Sequence, residues 1–236
     1  MSLIFRPLFE KQSSTYTYLL ADAKTKEAVI IDAVDQTQQR DIGLIEELGL
    51  QLKYIIETHI HADHITSSCP LKQKFTSAKI VLGENNSVAC ADILIKDGES
   101  LSFGSYKINA IATPGHTNGC MSFVIGDKVF SGDSLLIRSC GRCDFQDGSA
   151  AKLFDSIQRL FALPEATKVY PAHDYGGRTL SSIWEEKAFN QMIGGGVDKA
   201  EFVRRVEAME LSLPAKIHVA VPANQVCGSK IVAHDK

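Results

Sequence analysis

The sequence predicts an α/β (α+β) protein made of two mixed β-sheets stacked face to face, with helices on both outer faces. Three observations carry that expectation. A β-rich stretch followed by an amphipathic helical stretch occurs twice, with no low-complexity linker between the halves. The helical stretches show one apolar stripe each, which needs a sheet to cover it. Several histidines and aspartates also stand directly after apolar strand-like runs, where a sheet end can hold a side chain rigidly.

In chain order, residues 3–8, 15–20 and 28–31 read as strands separated by polar turns. Residues 41–50 put Ile42, Ile45 and Leu48 on one helical face, with Gly49 as the stop signal. Residues 52–56 then form a buried strand, 67–75 a second helix and 79–82 another strand. Short strands at 93–95, 100–103, 107–112, 120–125 and 128–130 follow, punctuated by Asp97-Gly98, Pro114-Gly115 and Gly126-Asp127 turns. Residues 150–160 form a helix with Leu153, Phe154, Ile157 and Leu160 on one face, and 169–170 a short strand. The remainder is expected to be mostly helical as far as Pro214. The whole is expected to be one domain over 1–236, with 177–236 as a short helical extension.

The 236 residues can bury roughly 70–75% of the surface of the unfolded chain, so no disulfide or metal staple is required for folding. A formal net charge of -3 argues against non-specific binding to nucleic acid or anionic membranes. No apolar run approaches the length of a membrane span. The N-terminus lacks a basic-then-apolar signal, so the expected location is cytoplasmic, or the mitochondrial matrix after removal of a transit peptide. The six scattered cysteines are expected to be reduced, and the Cys140-x-x-Cys143 spacing is read as coincidence.

The run Thr58-His59-Ile60-His61-Ala62-Asp63-His64 holds three of the seven histidines and one carboxylate, just beyond the 52–56 strand. Alternating residues on an irregular loop turn His59 and His61 toward one point and Asp63 and His64 toward a second nearby. These are ligands for borderline divalent metals. His116, Asp133 and His173 share the same context: a strand, a small turn residue, then a ligand-type side chain. His218 and His234 lack it and read as surface or packing residues.

The ordered set His59-x-His61-x-Asp63-His64, His116, Asp133 and His173 resembles the metallo-β-lactamase superfamily, whose fold is an αββα four-layer sandwich. Phe9-Glu10, residues 15–20, 58–66, 135–146 and 170–175, and the tail Leu213-Pro214 with 220–224 resemble its persulfide dioxygenase branch. The block Gly141-Arg142-x-Asp144-Phe145-Gln146 and the tail Pro222-Ala223-Asn224 weigh most. The resemblance implies one Fe(II) per chain, held by His59, His116 and Asp133. His61, Asp63, His64 and His173 would then hydrogen-bond to those ligands. Since all four are metal-ligand types, the residues alone leave a second metal site open, which would suit a glyoxalase II-type thioesterase. The implied reaction is oxidation of glutathione persulfide by O₂ to sulfite, with release of glutathione. Arg142, Arg178 and Arg138 are candidate carboxylate-binding residues, and Tyr175 is a candidate catalytic hydroxyl facing the substrate or O₂. A homodimer, with residues 220–224 contributing to it, is expected by analogy alone.

Overall fold

The computed structural model describes residues 2–86, 88 and 90–229, so His234 lies outside the described residues. The first sheet contains β1 (Leu3–Glu10), β2 (Thr15–Asp22), β3 (Glu27–Ile31), β4 (Gln51–Ile56), β5 (Lys79–Gly83) and β6 (Ile93–Ile95), adjacent in that order. β1, β2 and β3 pair antiparallel, and β3 through β6 run parallel. The parallel register requires crossovers, two of which carry α1 (Gln38–Glu47) and α2 (Ser68–Lys74). The second sheet contains β7 (Ser100–Phe103), β8 (Tyr106–Ala112), β9 (Met121–Ile125), β10 (Lys128–Gly132), β11 (Lys168–Pro171) and β12 (Ser181–Ser182), in the spatial order β12-β11-β10-β9-β8-β7. Only β10 and β11 are parallel, joined through α3 (Ala150–Phe161). α4 (Ile183–Phe189), α5 (Lys199–Glu207) and α6 (Ile217–Asn224) complete the chain.

Leu20, Val29, Ile31 and Ile56 from the first sheet meet Phe103, Ile108, Phe123 and Phe130 from the second to form the central core. The opposite faces bury Leu19, Ile30 and Ile55 against Ile45 and Leu71, and Val129 and Val169 against Leu153, Ile157 and Phe202. Strands covered on both faces must be apolar at successive positions, which is why Ile30-Ile31 and Ile55-Ile56 lack polar alternation. This is the four-layer αββα arrangement expected from the sequence. Tyr18 packs on Phe130 with ring centroids 4.9 Å apart and donates its hydroxyl to Pro171 O at 2.6 Å. Tyr16 N donates to Ala172 O at 2.8 Å. These bonds tie the two sheets together beside the point where His173 leaves β11.

Three expectations need correction. α1 begins at Gln38 rather than at 41, and Gly49, just past its end, takes φ +61°. Residues 190–198 and 208–216, on either side of α5, are not helical: Gly195 and Gly196 adopt φ +68° and +80° in the first, and after the second the chain is helical again in α6. The cysteines are not all reduced. Cys90 and Cys227 form a disulfide that links the approach to β6 with the end of α6, while Cys69, Cys120, Cys140 and Cys143 are free. Compartment rules describe the surroundings of a chain. They carry no information on two thiols that the fold itself brings to a Cα–Cα distance of 5.9 Å. Among the described residues, no helix is long and apolar enough to cross a membrane.

Candidate metal centre

The strands deliver polar side chains to one edge of the sandwich. Asp32 follows β3, Thr58 and His59 follow β4, His116 comes after β8, Asp133 after β10 and His173 after β11, and all are buried. His59, His116 and Asp133 each present a ligand atom, and these atoms lie within 4.8 Å of one another. His116 Nε2 is 3.7 Å from Asp133 Oδ2.

The far side of each imidazole is already occupied. Thr58 donates its amide and its hydroxyl to Asp32, at 2.7 and 2.9 Å. With its proton spent there, Thr58 Oγ1 accepts from His59 Nδ1 at 2.9 Å. His116 Nδ1 donates to Arg142 O at 2.6 Å. Both rings are therefore held as the tautomer with a bare Nε2, the orientation a metal ligand requires. Burial, reinforced by the neighbouring His61, pushes His59 well below the ordinary imidazole range, against the pull of Asp133. Burial lowers His116 too, again against Asp133. Burial alone would raise Asp133, but the His173, His116 and His59 imidazoles hold its carboxyl well below the usual range. Two neutral imidazoles and one carboxylate suit a divalent cation and leave coordination positions open. Two glycines make room for this arrangement. A Cβ at Gly132, where φ is +54°, would lie 2.8 Å from Thr58 Oγ1, and one at Gly141 would lie 2.8 Å from His116 Nδ1.

His61, Asp63, His64 and His173 form a second group of ligand atoms within 4.8 Å of one another. His173 spans two carboxylates, with Nδ1 2.7 Å from Asp133 Oδ1 and Nε2 2.9 Å from Asp63 Oδ2. Although burial opposes it, the two carboxylates raise His173 well above the ordinary imidazole value, so both nitrogens donate. His64 Nδ1 reaches Asp63 Oδ2 at 3.1 Å. His61 turns the other way, with Nε2 3.3 Å from Asp32 Oδ1 and 3.6 Å from Glu57 Oε2. Burial and the Asp32 charge push Glu57 up to about 7, although His61, Ser68 and Thr66 act against them.

A cavity of about 490 Å³ opens onto His59, His116, Asp133 and His173. Arg138, Arg142, Arg178 and Tyr175 all line it, but their roles differ. The Arg138 guanidinium binds Glu185, Glu186 and Ser181. Arg142 forks onto Asp144 at 2.6 and 2.6 Å and donates to Ser212 O and Leu211 O at 2.6 and 3.1 Å. Arg178 has no carboxylate partner among the described residues. Of the three arginines expected to bind a substrate carboxylate, Arg138 and Arg142 are thus already paired with acids of this chain. The acids that pair with Arg138 lie 47 and 48 positions away, which sequence spacing does not encode, whereas Asp144 stands next but one to Arg142. The Tyr175 ring is largely exposed and stacks on His173, with centroids 5.8 Å apart and planes 4° from parallel. Burial pushes the free Cys143 thiol up to about 12. His218 is exposed on α6.

Comparison with known proteins agrees with this geometry. The metallo-beta-lactamase superfamily pattern matches residues 11–86 and 88–173. Persulfide dioxygenase ETHE1 (mitochondrial) of Bos taurus is 45% identical over 229 residues, covering 96% of this chain and 89% of the relative. The Homo sapiens protein is 44% identical with the same coverage. The crystal structure of ETHE1 from Myxococcus xanthus superposes with a TM-score of 0.92 at 46% identity, over 95% of this chain and 99% of that one. The chain belongs to the metallo-beta-lactamase superfamily, in its persulfide dioxygenase family. A more distant relative, Glyoxylase B2 of Dictyostelium discoideum, is 32% identical over 255 residues, or 92% of this chain and 87% of its own length.

Around the candidate metal ligands, sequence reasoning missed several supports. Asp32 and Thr58 set the His59 tautomer, and Glu57 flanks His61. Asp32 could have been found by the rule that selected His59, since it also directly follows an apolar strand. The sequence places Asn224 in the 220–224 tail, which resembles the family and is expected by analogy to contribute to a dimer, and gives it no role at the site. Its amide instead donates to His61 O and His64 O at 2.8 and 2.8 Å and accepts from Thr66 N at 2.9 Å. α6 thereby braces the histidine loop. Gln146, within the most distinctive sequence block, donates to Ile60 O at 3.0 Å on the other side of the same loop.

Proposed function

We propose that the protein is a persulfide dioxygenase that oxidises glutathione persulfide with O₂ and water to sulfite and glutathione, at a single Fe(II) held by His59, His116 and Asp133. Two of the sulfite oxygens come from O₂ and the third from water, with two protons released. The observation that carries the mononuclear reading is His173, whose two nitrogens both face carboxylates at 2.7 and 2.9 Å. A second metal at the His61, Asp63, His64 and His173 cluster that took His173 Nε2 would have to break its bond to Asp63 and displace the proton that nitrogen carries. That cost weighs against the binuclear thioesterase alternative, although the cluster contains the right ligand types.

When bound, the iron supplies open positions for a persulfide sulfur and for O₂, together with a redox couple that Zn²⁺ lacks. The chain does the rest. Thr58 and the Arg142 carbonyl fix the ligand tautomers. His173 neutralises Asp133 from behind while Asp63 holds His173 in place. Arg178 meets a carboxylate of the tripeptide, and the Tyr175 hydroxyl faces the reacting sulfur. Leu136, Ile137 and Phe145 give the cavity an apolar wall. Residues 1–236 act as one catalytic unit, because Asn224, within the 177–236 extension, braces the histidine loop. The expectations of a homodimer and of a cytoplasmic or matrix location accompany this reading by analogy with the family.

The test is metal content and O₂ uptake on glutathione persulfide, using anaerobically purified protein. About one iron per chain with O₂ consumption is expected. Two metals per chain, no O₂ uptake and hydrolysis of S-D-lactoylglutathione would overturn the reading. His59→Ala should lose both iron and turnover, whereas His61→Ala should retain part of its iron.

A further inference from the structure

Residues 208–216 form an irregular strap between α5 and α6. Met209, Leu211 and Pro214 from this strap wall the reaction cavity. Met209 and Leu211 also wall a second cavity of about 420 Å³, which Arg142, Cys143 and Val203 help to line. The strap is therefore a thin partition with open space on both sides, and Leu211 and Leu213 are 53% and 55% exposed. Such a segment has little apolar burial to hold it. Among the described residues, the only hydrogen bonds made by residues 210–213 are those that Leu211 O and Ser212 O accept from the Arg142 guanidinium, at 3.1 and 2.6 Å.

The same residue grips the metal site from its other end. Arg142 O accepts from His116 Nδ1 at 2.6 Å. The guanidinium carbon lies 5.1 Å from the Phe145 ring centroid, and that ring meets His116 edge-on at 6.0 Å. One residue earlier, Gly141 N donates to Asp133 O at 2.7 Å, and no Cβ fits there. Asp144 takes two N–H groups of the guanidinium and fixes its plane, which a lysine could not reproduce. Asp144 and the strap take four of the five N–H groups, and Asp144 already balances the charge, so no two-pronged site is left for a substrate carboxylate.

We propose that Arg142 is a positioning residue that couples the strap at Leu211 and Ser212 to the metal ligand His116, and is not a contact for the substrate. A substrate seated against Leu211 and Pro214 loads the strap. The guanidinium carries that load to residue 142, whose carbonyl sets the direction of the His116 ring. Strap position and ligand orientation are thus linked through one side chain. The proposal rests on His116 being a metal ligand, as argued above.

The test compares wild-type holoenzyme with Arg142→Ala and Arg142→Lys by three readouts. These are chymotrypsin cleavage within 208–216, metal release to a chelator, and kcat and KM with glutathione persulfide and with a small uncharged alkyl persulfide. Loss of the charge-assisted bonds to the strap should speed both cleavage and metal release of Arg142→Ala at least about tenfold. Its kcat should fall by the same factor for both persulfides, Arg142→Lys should restore little, and added methylguanidinium should restore part of the loss in Arg142→Ala. A rise in KM confined to glutathione persulfide, with wild-type cleavage and metal release, would identify a substrate contact and overturn the proposal. Unchanged metal release overturns it whatever the protease result. If Arg142→Ala does not fold, Asp144→Asn, which loosens the fork but keeps the arginine, should shift all three readouts in the same direction, and its failure to do so overturns the proposal. Strap cleavage measured on metal-free wild type and variant separates a failed clamp from a wrong metal assignment.

Discussion

Asn224 offers the most exposed prediction, because one side chain satisfies three backbone groups of the histidine loop. It is 3% exposed, donates to His61 O and His64 O at 2.8 and 2.8 Å, and accepts from Thr66 N at 2.9 Å. Asn224→Ala leaves those three groups without these partners. At about 1 kcal/mol net for each bond, the loss is about 3 kcal/mol, and more where a stranded group stays dry. For a chain of this length that corresponds to a fall in Tm of roughly 6–12 °C. Loosening the loop that carries His59 should also weaken metal retention by roughly 10–100-fold, the usual effect of removing an outer support. Asn224→Asp should be worse than Asn224→Ala at neutral pH, since a carboxylate would face two carbonyl oxygens. It should recover in part as the pH falls and the acid regains a proton to donate. Urea unfolding and metal release to a chelator measure both effects. If Asn224→Ala stayed within about 0.5 kcal/mol of wild type with normal metal retention, the bracing role of α6 would be refuted.

Two further outcomes follow from the same structure. Glu57 is pushed up to about 7 from an ordinary value of 4.5. A carboxyl raised on folding contributes stability that is complete below its unfolded value and is lost as pH rises through its folded value. Metal-free protein should therefore lose up to about 3 kcal/mol from this group between pH 4.5 and 8, and Glu57→Gln should flatten that slope, as urea unfolding across the range would reveal. Cys90→Ser should lower stability by about 2–5 kcal/mol, and a reductant should destabilise wild type but not the variant. Thiol titration of the denatured, unreduced protein should find four free thiols; six would refute the Cys90–Cys227 bond.

The layer order was legible because strands buried on both faces have to be apolar throughout and helices on the outer faces need a single stripe. Ile30-Ile31, Ile55-Ile56 and the Leu153, Ile157 and Leu160 face are local consequences of those rules. The stretches 190–198 and 208–216 on either side of α5 were misread, because composition does not say where turn glycines such as Gly195 and Gly196 interrupt a helical region. The candidate ligands were legible one by one, each within a few residues of a strand end.

By itself the sequence determined which side chains can bind a metal and that the strands would deliver them to one edge. A strand end is a local property, and the ligand types are few. The tertiary structure alone decided what each of them faces. His59 and His116 turn Nε2 inward because Thr58 and Arg142 O occupy the other nitrogen. His173 is spent on two carboxylates, and His61 faces Asp32 and Glu57. The Arg142 guanidinium is consumed by Asp144 and the strap. Each of these depends on a partner between 26 and 110 positions away, Thr58, Glu57 and the Asp144 fork excepted. Tautomer, charge and availability are set by contacts across that distance, and so they are properties of the folded chain.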